Sequence, residues 1–433
     1  MGQGCKITRN MSKASNRPRL RPLDTIVVPD DEHGKVLVLR DTEGIAKGVA
    51  RIPPFLVPIV RRFDGLLTFQ EIAFEASKEL NDPISASLVE KIARELDEGC
   101  FLEGPTFRAA RENLERDFAT AKVRAASHAG GAYSSDPSEL ATYLDGQCLA
   151  RATKKPKHAG TISALIAPHI DPWRGAVDYG HAYAALAARL AADADTFILF
   201  GTSHAPMRQP FALCNKSFDT PLGPLHADEE ALAIIAARAK FDPYADQLFH
   251  KREHSLEFQV VFLKHILKQR AAGGKEPKIV PILAGLGEQQ SRGTSPEDDS
   301  AVSSFLEGAR ELAETRGDRV VVIAGADLAH VGPRFGDAKP YDEKSREELE
   351  SRDLGSLAQA IGGDAAGFWD HVSEDNATRR VCGLAPIYAL LKTLGADSGS
   401  RATSRAETLH YEQTIDAEDG SIVSHASVAF YRH

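Results

Sequence analysis

Cysteine is scarce in this chain. Five residues in 433 (Cys5, Cys100, Cys148, Cys214 and Cys382) are irregularly spaced, and none forms a C-x-x-C pair. That excludes a disulfide framework, a paired-cysteine structural zinc site and the cysteine run of a radical-SAM cluster. Long apolar runs are also missing. The most apolar stretch, residues 176 to 200, is interrupted by Asp178, Arg189, Asp193 and Asp195, so it falls short of the ~18 uninterrupted residues of a membrane span. Positive charge is in deficit: 52 Lys and Arg against 61 Asp and Glu leave a net charge of −9, which argues against a broad nucleic-acid surface. No phosphate loop, no G-x-G-x-x-G after a strand and no G-x-S-x-G elbow occurs, which removes the common nucleotide-binding and serine-hydrolase readings. The basic N-terminus has no apolar h-region, and Lys6 stands where a myristoylation signal at Gly2 needs Ser or Thr. The expectation is a cytoplasmic protein with neither a membrane nor a nucleic-acid partner.

What is present is ordinary globular material, 42% hydrophobic and 26% charged, enough for more than one core. Residues 1–22 are basic, poor in apolar side chains and read as a disordered, solvated tail. Residues 23–107 read as a small α+β domain. Thr25–Val28 and Lys35–Leu39 are β-patterned runs joined by the turn-rich Pro29–Gly34. Helical patterns follow at Phe55–Phe63, after Thr68 (a capping box with Glu71) and over Ser85–Gly99, before a short Cys100–Leu102 strand. That order is winged-helix-like. Residues 108–122 read as a charged linker helix. Residues 123–433 alternate strand and helix patterns, which predicts an α/β layered sheet with flanking helices. The candidate strands are Thr161–Ala167, Thr196–Phe200, Lys278–Leu283, Arg319–Ala324 and Ser427–Tyr431. Tyr179–Ala192 and Leu256–Gln269 are candidate helices, and Glu288–Ser300 and Asp397–Arg405 read as loop insertions.

Three of these strands end alike, in Pro168-His169, Ser203-His204 and Asp327-Leu328-Ala329-His330. Open α/β sheets place their sites beyond the carboxyl ends of the strands, so parallel strands would bring the three imidazoles together. Converging imidazoles with a thiolate or carboxylate suit zinc, iron or copper. Cys382 stands at the start of a helix leading into Ile387–Leu394, where the dipole would ease its ionisation and make it a ligand or nucleophile; the plainer reading is a small buried hydrophobe, as for Cys100 and Cys214. His254 and Glu257 share a helix face and either orient a ligand or simply begin the helix.

In order along the chain, Ser127-His128-Ala129-Gly130, Ala167-Pro168-His169, Ser203-His204, Glu253-His254-Ser255-Leu256-Glu257, Asp327-Leu328-Ala329-His330 and Val381-Cys382-Gly383 resemble the Memo family, in particular its AmmeMemoRadiSam system protein B members. That family is similar in fold to the class III extradiol dioxygenases of the LigB type. The resemblance implies His169, His204 and Cys382 as metal ligands, with Asp327 and His330 as acid–base residues. It implies iron as the metal, with copper or zinc as alternatives. The chain departs from the family at Ile170-Asp171-Pro172-Trp173, where Asp171 either adds a carboxylate near the metal or only shapes a turn. Phe63–Ala73 with Leu96–Leu102 resembles the PqqD-like domains, which bind peptides for radical-SAM enzymes.

Two functions follow as expectations. One is a metal-dependent, dioxygenase-like oxidoreductase. The other is a non-catalytic accessory or scaffold protein of a radical-SAM-associated modification system, with radical-SAM and AmmeCR-type proteins as partners and a peptide at the N-terminal domain. Cysteine-based hydrolysis through Cys382 ranks below both, because it leaves two histidines and Asp327 idle.

Overall fold

The computed structural model describes residues 16–153, 155–268, 276–375, 378–395 and 405–432. The chain divides into two compact units, the first ending at Thr120 and the second running from Ala121 to His433.

In the first unit, β1 (Asp24–Asp30), β2 (Gly34–Arg40) and β3 (Ala50–Ile52) form an antiparallel sheet in that order. Helix α1 (Phe69–Leu80) begins at the expected capping box, with Thr68 and Glu71 satisfying each other's backbone N–H groups. It packs with α2 (Ala86–Glu98) around Ile59, Phe63, Ile72, Val89 and Leu96. The chain continues into α3 (Pro105–Thr120). The solvated tail expected over residues 1–22 ends early. Residues 1–15 lie outside the described residues, but Arg21 is 3% exposed and donates to the Cys100 carbonyl, Asp41 and Glu43, each at 2.9 Å. A buried guanidinium needs such partners, and this pairing draws the end of the basic segment into the fold.

The second unit is built on β4 (Ile162–Ala167), β5 (Thr196–Thr202), β6 (Phe211–Leu213), β7 (Lys278–Ala284), β8 (Val320–Gly325), β9 (Asp327–Val331), β10 (Arg405–Ile415) and β11 (Ile422–Tyr431). The sheet runs β9-β11-β4-β8-β5-β7-β6, with β10 paired to β11 and a two-residue strand, His226–Ala227, beside β7. The central strands β4, β8, β5 and β7 are mutually parallel. Their sequences read as nearly unbroken apolar runs because both faces are covered. Helices α4 (Ala176–Arg189) and α5 (His254–Leu267) lie on one face. Helix α7 (Leu384–Thr393) lies on the other, backed by α6 (Ser300–Arg316). The expected α/β layered fold is therefore present. The stretch expected as a loop over Glu288–Ser300 instead carries a helix, Gly287–Arg292, which stops at Gly293 in the left-handed conformation, and a short 3-10 turn, Pro296–Asp298, capped by Ser295. Of the other expected loop, residues 397–404 lie outside the described residues.

Candidate metal centre

The parallel strands end together, and their ends are pressed against the first turn of α5. Ser255 Oγ donates to the Thr202 carbonyl at 2.8 Å, and the Gln259 amide donates to the Pro168 carbonyl at 2.8 Å. This approach requires glycine at residue 325, where a Cβ would stand 2.4 Å from the Ser255 carbonyl oxygen. The result is a ring of imidazoles. His169 and His204 lie 5.2 Å apart between ring centroids, and His254 lies 5.5 Å from the first and 4.6 Å from the second. One nitrogen from each of these three rings lies within 4.8 Å of the others.

The hydrogen bonds decide which nitrogens face inward. His169 Nδ1 lies 2.9 Å from the Gly325 carbonyl oxygen, which can only accept. Nδ1 therefore carries the hydrogen and Nε2 keeps its lone pair, 3.3 Å from Cys382 Sγ and 3.7 Å from an oxygen of Asp327. His204 Nδ1 faces the Glu253 carboxylate at 3.0 and 3.1 Å. Glu253 also accepts the backbone N–H groups of His204, His254 and Ser255, at 2.9, 2.8 and 3.0 Å. Both rings thus commit their outer nitrogens to acceptors and present the inner ones, the arrangement that orients metal-binding histidines.

Electrostatics fit a site that wants a cation. Burial disfavours the charge on Glu253, yet the adjoining His204 and His254 and the hydrogen bonds hold its carboxyl well below the usual range. Burial likewise opposes ionisation of Asp327, but His169, His425 and His330 around it leave its carboxyl low. His254, buried among other imidazoles, is pushed down to about 3. Burial lowers His169 as well. On His204, burial is outweighed by the charge and hydrogen bonding of Glu253, and the ring is raised above its ordinary value. The expected easy ionisation of Cys382 is not found. Burial first, and then the Asp327 charge, push the thiol well above its ordinary value, and α7 starts only after Gly383. A bound cation would reverse that, since a coordinating thiol deprotonates.

The sequence profile of Memo-like proteins matches residues 124–429. The chain belongs to the Memo family. A MEMO1 family protein of Aquifex aeolicus is 26% identical over 96% of this chain and all of its own length. One from Thermus thermophilus is 28% identical over 69% of this chain and 81% of its own. One from Methanococcoides burtonii is 30% identical over 62% and 86% respectively. Among solved structures, an uncharacterized protein of Escherichia coli K12 aligns over 62% of this chain and 99% of its own, at 14% identity and a TM-score of 0.34.

Within this Memo domain the residues singled out from the sequence fall into three groups. His169, His204 and Cys382 lie at the centre, and His254 joins them as a third imidazole. His330 does not complete that trio. After Gly325 the chain enters the antiparallel strand β9, where His330 packs edge-on against Phe335 at 5.1 Å and turns Nδ1 toward the Leu328 carbonyl. Asp327 is tied to the His169 segment rather than acting as a clamp for His330, since it accepts the His169 backbone N–H at 2.8 Å. Asp171 shapes the turn after His169, accepting from the Arg174 backbone and pairing with its guanidinium.

Glu257 is a buried hub below the centre. It pairs with Arg124 and accepts from Ser127 Oγ at 2.9 Å, from the His128 backbone at 2.9 Å and from Tyr133. Its partners also include His128 Nδ1 at 3.0 Å, which sets the His128 ring 5.6 Å from that of His254. Sequence reasoning missed two supports, Glu253 and Arg124. Glu253 was visible as an acid immediately before a helix that begins with histidine. Arg124 carried no signal, because its partners lie up to 133 residues away.

Proposed function

We propose that this Memo-family protein is a metal-dependent oxidoreductase whose single redox ion is held by His169, His204 and Cys382, with His254 beside them. The observation that carries the reading is the pair of inward-facing imidazole nitrogens next to a thiol 3.3 Å from one of them. Imidazole with thiolate favours iron or copper over magnesium or calcium, and zinc also fits the donors. When bound, such an ion would supply Lewis acidity and electron transfer at the mouth of the parallel strands. The protein's own residues would do the rest. Glu253 holds the His204 ring, and Asp327 anchors the His169 segment and places a carboxylate at the same point. His330, lowered by burial to about 4, is neutral near pH 7 and can accept a proton from a bound acid through Nε2.

The test is metal analysis of anaerobically purified protein. The native chain is expected to hold about one equivalent of iron or copper at this centre, and His204→Ala or Cys382→Ala to lose most of it. Unchanged occupancy in both variants removes the assignment. The accessory reading, with the first unit as a PqqD-like peptide binder serving radical-SAM or AmmeCR-type partners, is favoured by one feature. Val27, Phe55, Leu66 and Phe74 of that unit are exposed apolar side chains. Binding of a fluorescent peptide to the full chain, weakened by Phe74→Ala and indifferent to Cys382→Ala, would support that reading.

A further inference from the structure

A second cluster of donors lies on the α4 side of the same sheet. Asp178, in the first turn of α4, is fully buried. Its two carboxylate oxygens receive two histidines from neighbouring strands, His410 Nδ1 of β10 at 2.8 Å and His425 Nδ1 of β11. Glu412 stands two residues from His410 on β10 and directly opposite His425 in the β10–β11 register. One ligand atom each from Asp178, His410 and Glu412 falls within a 4.8 Å span. His181, one turn on from Asp178 along α4, stacks on His410 at 4.7 Å and 10°.

An Asp178–histidine hydrogen-bond network alone would explain two of these contacts but not Glu412. Its Oε2 is shielded from solvent and has no hydrogen-bond partner among the described residues. It is a second carboxylate close to Asp178, and Asp178 first, with Glu412 adding to it, raises His410 and, against burial, His425, so the cluster already favours positive charge. Hydrogen bonding leaves this oxygen unsatisfied where a cation would satisfy it. The donors come from a helix and a strand that the sheet fixes in place, and a cation entering between them would displace the proton that His410 Nδ1 shares with Asp178.

We infer that Asp178, His410 and Glu412 form a second cation site, separate from the thiol-containing centre and suited to a borderline divalent ion such as Zn2+ or Co2+. Two carboxylates and an imidazole give an oxygen-rich set without sulfur, so the two sites differ in ligand type. This inference is independent of the function proposed for the first centre.

The test is equilibrium dialysis of the metal-free full chain against Co2+, with absorption spectra recorded at each step. The native protein is expected to take up two equivalents, of which only one gives a thiolate-to-metal charge-transfer band. Glu412→Gln and His410→Ala should each weaken the band-silent equivalent by about tenfold or more. His204→Ala should remove the other and leave the band-silent one in place. The inference is overturned if the native chain binds one equivalent that vanishes in His204→Ala. It is equally overturned if a second equivalent persists at native affinity in both Glu412→Gln and His410→Ala. Glu412→Gln keeps the side-chain shape, so it supplies the answer should His410→Ala fail to fold.

Discussion

Two buried glutamates four residues apart do different work. Glu253 supports the centre from outside, holding the His204 ring and capping α5 at once. Substituting Glu253→Gln retains a side chain of the same size but removes the charge that fixes the His204 tautomer. The expected result is a ~10- to 100-fold loss of metal affinity, read by competition with a chelator of known strength. Glu257 instead neutralises Arg124. Burial alone would raise its carboxyl, but His128, Arg124 and Tyr133 together bring it far below the model-peptide value of 4.5. With the native value below the unfolded one, this stabilisation is complete above about pH 4.5 and is lost progressively as pH falls toward the native value. Glu257→Gln leaves Arg124 buried without its counter-charge and is expected to cost about 3 kcal/mol or more at pH 7 in urea unfolding. The variant should also show a flatter loss of stability between pH 5 and 3 than the parent, by roughly the titration of one carboxylate.

At the level of elements, the strand ends and the first turn of α5 form one joint. Gly325→Ala would put a methyl group 2.4 Å from the Ser255 carbonyl oxygen and 2.8 Å from the Gln259 amide. Backbone cannot yield there as a flexible side chain would, so the variant is expected to lose about 1–3 kcal/mol of stability in thermal or urea melts. The sheet itself was readable because β4, β5, β7 and β8 are covered on both faces and their sequences are nearly unbroken apolar runs. Strands β9 and β10 were not read. β10 mixes exposed and half-buried residues, and β9 is a five-residue strand carrying the aspartate and histidine that drew notice as chemistry. The same blind spot produced the expectation that His330 would join the metal-binding imidazoles. Residues 327–330 look like a strand-end loop in sequence, and only pairing with β11 turns them into a strand of their own. His254 was visible as a polar residue at a helix start, but its place in the ring depends on how α5 docks, which no local pattern encodes. Cys382 stands just before a helix, as expected, but burial outweighs the nearby helix terminus and raises its thiol, an effect no local pattern shows.

For the whole molecule, the two units carry separate hydrophobic cores, one around Ile72 and Val89 and one around Phe200 and Phe305. Metal binding to the centre should therefore be recorded by only one of them. Hydrogen exchange with and without added metal is expected to show new protection around residues 168–170, 203–205, 253–257 and 381–384 and none over residues 24–98. Protection spread evenly over both units would speak against a localised centre. The contact between His169 and Cys382 spans 213 residues of chain. During synthesis the first histidine leaves the ribosome long before the thiol exists, so the complete set of donors cannot assemble until late in translation. Any ion using both can be held only after Cys382 has been added and has emerged, and a product truncated before Cys382 would lack the sulfur that sets the centre's chemistry.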